Sequence, residues 1–269
     1  MDMIGRGGAR ERVLASLVLA TAFLVAGCGG TSATPPIIYI TPAPVTLAPG
    51  ATPTPPPPPP DISSVLVSSS APDSRWTVLF KKPVISGPGT ASTMNDAITA
   101  KVNALTSAFT AGSLPAVTSG ASPSTLDGNF TIALDTNELI SLRFTVLTYV
   151  SGAANPVGDP SSINLDVATG ATIALGDVFT SAATALPILT AKAHAALTAA
   201  LAGDLQWPSG SIAISFFEKA WAITPAGLEF TWAQGSIASQ AAGAPSAVVS
   251  WADLKPAINP TGPLAALVR

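Results

Sequence analysis

The sequence predicts an α+β domain carried behind a long proline-rich stalk, and three observations predict it. Two stretches, 92–112 and 186–201, repeat apolar residues at intervals of three and four, the spacing of one helix face. Others, such as 139–149 and 163–167, alternate apolar with polar residues, the spacing of a strand with one covered face. Between residues 29 and 60 there is no charge at all and nearly half of the chain's 26 prolines, a composition that suits neither element.

The chain begins with a segment, 1–27, that reads as an export signal. Arg6, Arg10 and Arg12 lead into an apolar run at 13–26. That run of about 14 residues is shorter than the ~18 a bilayer-spanning helix needs, and it ends in small residues as a cleaved signal does. Its end, LVAGC at 24–28, resembles the lipobox of bacterial lipoproteins, in which the cysteine is lipidated and becomes the mature N-terminus. Cys28 is the single cysteine of the chain, so it has no disulfide partner within it. The resemblance implies an extracytoplasmic lipoprotein attached to a bacterial membrane through lipid on Cys28, with several acyl chains holding more firmly than one.

Residues 28–60 are then the lipidated cysteine and a Pro/Thr-rich linker. Proline fixes φ and lacks a donor, so this stretch forms neither helix nor ladder and is expected to be a disordered, extended stalk. At about 3.1 Å per residue it reaches on the order of 100 Å when fully extended. The folded domain is expected over 61–269. The chain's formal net charge is −3 and no Lys/Arg cluster forms a basic footprint, which argues against nucleic acid as a partner.

Within the domain, SRWTVLFKKPVISG (74–87) reads as a strand or two interrupted at Pro83. In 92–112, Met94, Ile98, Val102, Leu105 and Phe109 share one helix face, with Ser92 or Thr93 as the cap and Gly112 as the stop. Asn95, Lys101, Asn103 and Ser107 are placed outward. Residues 129–150 read as two strands around Asp135-Thr136-Asn137. In the second strand Ile140, Leu142, Phe144 and Val146 share one face, and Ser141, Arg143 and Thr145 the other. The Gly- and Pro-containing SGAANPVGDPSS (151–162) reads as a loop.

INLDVATGATIALGDVF (163–179) puts Asp166 and Asp177 on either side of Thr169-Gly170. A cation loop needs carboxylates at alternating positions and a closing glutamate, and this stretch has neither. It reads as a hairpin, with Gly170 taking the turn's positive φ, a return strand from Thr172 and Asp177 at that strand's end. The second helix, 186–201, buries Leu186, Leu189, Ala193, Leu197 and Leu201, with Pro187 in its first turn. Residues 216–238 read as two strands joined at Thr224-Pro225-Ala226-Gly227, and SAVVSWADL (246–254) as a last strand ending in a capped turn at 250–253.

Catalytic constellations are not found. His194 is the one histidine, so a multi-histidine zinc site cannot be built, and no G-x-S-x-G elbow accompanies it. No metal or other cofactor is expected. Asp135, Glu138, Asp159 and Asp166 leave a carboxylate-dependent hydrolase of envelope substrates as the enzymatic alternative, which needs a defined separation of two acids. A purely structural envelope lipoprotein is the other alternative. Trp221 and Trp232 fall on neighbouring strands and offer either an aromatic surface for stacking on sugars or core packing.

Four segments in order resemble the DUF3298 domain found at the C-terminus of the RsiV anti-sigma factor and in PdaC-type deacetylases. They are PVISG (83–87) with the following helix, ELISLRFTVLTYVSGAANP (138–156), INLDVATGATIALGDVF, and 217–254 with its closing strands. The resemblance spans most of 75–258 and implies a curved antiparallel β-sheet with two main helices packed on one face. It also implies a non-enzymatic binding domain whose partner is a lysozyme-like envelope protein or cell-wall glycan. The loop after the long strand is the candidate binding loop, with Ser151, Gly152, Asn155 and Asp159. Relatives place a histidine in that loop where this chain has Ala154 and Asn155, so no imidazole is expected to act there.

Overall fold

The computed structural model describes residues 59–268 except 113 and 119. The signal segment, Cys28 and the linker as far as residue 58 lie outside the described residues.

The domain is α+β and contains two sheets. The larger has five strands in sequential order: β1 (Asp61–Ser70), β2 (Trp76–Ser86), β3 (Ser124–Asp135), β4 (Leu139–Tyr149) and β5 (Val157–Asp166). Its pairings are antiparallel except one, because β2 and β3 run parallel over Trp76–Phe80 and Ser124–Gly128. The expected all-antiparallel sheet is therefore mixed. The reason is the helix between them, α1 (Ala91–Thr110), which supplies the long crossover that parallel neighbours require. Pro83 does not interrupt β2, since it lies past the end of the β3 pairing, where a missing N–H leaves no ladder bond unmade on that side.

Met94, Ile98, Val102 and Phe109 of α1 pack with Val78, Phe80, Leu126, Leu142 and Phe144 of the large sheet in one core. The helix begins at Ala91, its N-cap Thr90 two or three residues before the Ser92 or Thr93 expected from sequence, and Thr90 spends its hydroxyl on the carbonyl of Val167 at 2.6 Å. Asn95 is not an outward residue. Its amide donates to the Ile85 carbonyl at 2.8 Å and its oxygen accepts from the Ile85 N–H at 2.9 Å, which occupies the stretch of β2 that β3 leaves unpaired.

After β5 the chain turns at Asp166, whose carboxylate accepts from the N–H of Thr169 at 2.8 Å and its hydroxyl at 2.9 Å, while Gly170 has φ +74°. The return strand shrinks to a single bridge between Leu165 and Thr172. A one-turn helix, α2 (Leu175–Val178), follows at once, so Asp177 stands in a helix and not at a strand end. Helix α3 (Ala182–Leu201) is capped by Ser181, which accepts from the Thr184 N–H. It starts four residues before its sequence stripe, which moves Pro187 from the first turn into the second. Ala185, Leu189, Ala193 and Leu197 are its buried face.

The FFE segment expected to start a strand forms a short helix, α4 (Ser215–Glu218). The second sheet then follows as β6 (Trp221–Thr224), β7 (Gly227–Thr231) and β8 (Ser246–Ser250), all antiparallel, ending in α5 (Trp251–Leu254) with Ser250 accepting from the Asp253 N–H. Helix α3 packs on β8 and belongs to a core separate from that of α1. The two main helices thus do not share one face of one sheet. On β4, Ile140, Leu142 and Phe144 join the α1 core, while the alternate residues Ser141 and Arg143 face the second sheet.

Candidate functional site

Where the two sheets meet, the contact is polar. Strand β6 is an edge, and the backbone groups on its free side are taken up by side chains of the larger sheet. The Trp221 N–H donates to Ser162 Oγ at 2.9 Å, the Ile223 N–H donates to Ser141 Oγ at 2.9 Å, and the Trp221 carbonyl accepts from Asn164 Nδ2 at 2.9 Å. Ser141 and Asn164 are themselves buried and joined at 2.6 Å. A fully satisfied buried network of this kind fixes a geometry that apolar contacts alone would leave free to slide.

Beside this seam lies a cavity of about 420 Å³, in the range that binds small ligands. Its walls come from β3, β4 and β5 on one side and from β6, β7 and the start of β8 on the other. Arg143 Nη1 donates to Glu229 Oε2 at 2.5 Å across it. The Glu229 side chain is 14% exposed and that of Arg143 38%, so the pair stands in the wall with the guanidinium nearer solvent. Arg143 Nε is buried and has no acceptor among the described residues. Asp159 lines the same cavity and pairs with Lys219 at 2.8 Å. Thr131, Thr145, Thr231 and Ser246 add hydroxyls to the lining.

A second pocket of about 300 Å³ adjoins the first, sharing Ser162 and Trp221 with it. Ala97 and Lys101, one helical turn apart on α1, form one wall, and Glu218 stands at another. Burial pushes the Lys101 ammonium below its usual pKa, and the nearby Asp159 charge opposes that shift.

The site residues expected from sequence are placed unequally. Asp159 is in the cavity, on strand β5 and not in a loop: β5 is the sheet's outer edge, where Pro160 is tolerated. Ser151, Gly152 and Asn155 sit in the preceding turn, outside the cavity lining, with the Ser151 N–H donating to Ser124 Oγ at 3.0 Å. Trp221 and Trp232 form no aromatic surface, being 5% and 6% exposed. Trp232 packs against Trp207, Phe216, Phe217 and Phe230 with ring centroids 5.5–6.5 Å away, so its faces are covered. His194 is exposed on α3 and lies against Trp207 at 5.1 Å. Among the described residues no three His, Cys, Asp or Glu side chains cluster as a metal site would require. Arg143, Glu229 and Lys101 were not singled out by sequence. Arg143 alone left a signal, a charge in the middle of an otherwise small-polar strand face.

Residues 176–252 match the family described as a protein of unknown function, DUF3298. No curated protein matches the chain. Among solved structures, a DUF3298 family protein from Pseudomonas aeruginosa is similar with a TM-score of 0.57 at 15% identity, over 76% of this chain and 96% of that one. A DUF3298 family member from Bacteroides fragilis is similar with a TM-score of 0.51 at 14% identity, over 78% of this chain and 97% of that one. At such identities the likeness is one of fold. The family match begins at Gly176 and covers α3 and the second sheet, whereas the cavity also uses β3, β4 and β5 from before it.

Proposed function

We propose, from the premise that this chain carries a DUF3298 domain, that it is a lipid-anchored extracytoplasmic binding module whose ligand is cell-wall glycan, taken into the cavity between the two sheets. The observation that carries this reading is the Arg143–Glu229 pair set in a hydroxyl-lined wall. An ion pair, a carboxylate and several hydroxyls converging on one cavity suit a ligand rich in hydroxyl and amide groups. The LVAGC stretch and the charge-free, proline-rich composition of 29–60 support display from a membrane.

Binding is favoured over catalysis by how the acids are used. Of the acids that line the cavity, Glu229 is held by Arg143 and Asp159 by Lys219, while Asp135, Glu138 and Asp166 stand outside its lining. A general acid and base need to be free to exchange protons with substrate.

The test is calorimetric titration of the full-length protein in detergent micelles with N-acetylglucosamine oligomers, repeated with Arg143→Met. Saturable heat that the substitution abolishes is the expected result. Absence of heat at millimolar oligomer would refute the glycan reading, and salt-resistant one-to-one binding of lysozyme instead would move the ligand to an envelope protein.

A further inference from the structure

The pocket beside Lys101 holds a charge that the fold does not use. Lys101 is half-buried, yet no carboxylate lies within ion-pair distance of its ammonium among the described residues. Lys219 and Lys192, both more exposed, each have a carboxylate partner, so the chain does not lack acids to pair with. Withdrawing an ammonium from water without a counter-ion costs stability. Glu218 borders the same pocket without reaching Lys101, and Asp159 acts on it only at a distance. The space in front of Lys101 is about 300 Å³, and it opens beside the larger cavity at the Ser162–Trp221 hydrogen bond.

We propose that this pocket is a second subsite, in which Lys101 receives a carboxylate carried by the same glycan chain whose neighbouring unit occupies the Arg143–Glu229 cavity. The inference rests on the glycan reading above and adds to it that the ligand is acidic and at least two units long. The ammonium supplies the counter-charge, and Ser162 and Trp221, which line both pockets, stand between the two subsites. In the larger cavity the cation is already matched by Glu229, so discrimination between acidic and neutral glycans falls to Lys101.

The experiment compares two disaccharides on the full-length protein in micelles: N,N′-diacetylchitobiose, which is neutral, and N-acetylglucosaminyl-N-acetylmuramic acid, which carries one carboxylate. The acidic disaccharide is expected to bind about tenfold more tightly, as a charge-assisted hydrogen bond provides. Lys101→Met should erase that preference, bringing the acidic disaccharide to the affinity of the neutral one, and Lys101→Arg should keep much of it. Equal binding of the two disaccharides to the unsubstituted protein overturns the second subsite and leaves the first reading standing. A preference that survives in Lys101→Met overturns it also, because the carboxylate is then held elsewhere. If neither disaccharide binds, both readings fall together. Thermal unfolding of each variant, expected near or above that of the parent, separates a lost contact from a lost fold.

Discussion

Asn164 on β5 donates its side-chain amide to the main-chain carbonyl of Trp221 on β6 at 2.9 Å. Through this bond a residue of one sheet does the work that a neighbouring strand would do for an edge strand of the other. The amide oxygen of Asn164 meanwhile accepts from Ser141 at 2.6 Å and stands 3.3 Å from the Ile223 N–H. Two residues thus hold three backbone or side-chain groups that would otherwise be buried and unpaired. Because β7 pairs with β6, the same contact sets Glu229 opposite Arg143, so the seam between the sheets also shapes the cavity.

The two network residues should not be equivalent. Asn164→Ala strips a donor from the Trp221 carbonyl and an acceptor from Ser141, and is expected to cost about 3 kcal/mol. Ser141→Ala leaves the Ile223 N–H within reach of Asn164, and is expected to cost about 1 kcal/mol. Urea unfolding of both variants measures this, and equal losses would show that the network has no preferred centre.

Arg143→Met leaves the Glu229 carboxylate, 14% exposed, without its cation. Breaking a buried pair costs several kcal/mol, but solvent reaches this one through the cavity, which reduces the expected loss to about 1–2 kcal/mol. Replacing Glu229 by Gln as well should recover part of it, since no charge is then stranded. A double-mutant cycle by urea unfolding gives the coupling directly, and simple additivity would mean the two side chains do not interact in solution.

Lys101 predicts a pH dependence of opposite sense to a stabilising ion pair. Its folded pKa lies below the ordinary 10.5 because burial disfavours the ammonium. At neutral pH that burden falls on the folded state, and it lifts as pH rises through the folded pKa towards 10.5. Lys101→Met should therefore unfold at a slightly higher temperature than the parent at pH 7, with the difference closing near pH 10.5. A gap that widens with pH would have the sign wrong and would imply a hidden anionic partner.

How much of this could be read beforehand depends on range. The α1 stripe Met94, Ile98, Val102 and Phe109 and the alternating face of β4 follow from local periodicity, and both were legible. Strand β1 was not, because as an edge strand it is exposed along most of its length and leaves no alternating burial to reflect. Pro160 resembled loop punctuation because nothing local says that its strand is an edge. Ser141 and Arg143 resembled a solvent face, since a polar seam and a wet surface call for the same residue types. The cavity was the least legible feature, for Arg143 and Glu229 are 86 residues apart and only the docking of the sheets brings them together.

Gly152 and Gly170 offer a controlled comparison of what a turn glycine contributes. Both have positive φ, +87° and +74°, so alanine at either position incurs the left-handed backbone cost of about 1–2 kcal/mol. At Gly152 an added Cβ meets nothing within 4 Å, and the backbone cost is the whole effect. At Gly170 the Cβ would lie 2.8 Å from Thr93 Cβ and 3.1 Å from the Thr90 carbonyl oxygen, against the first turn of α1. Neither neighbour is the end of a flexible chain, so α1 must shift or the turn must open, and Thr90 risks its bond to Val167. Gly170→Ala is expected to lose about 1–3 kcal/mol more than Gly152→Ala, the usual range for forcing extra volume into packed structure. Thermal unfolding of the two variants side by side decides it. Similar losses would show that the Asp166–Gly170 turn is not packed on α1 in solution, and a loss of glycan binding in Gly152→Ala alone would return the ligand site to the loop.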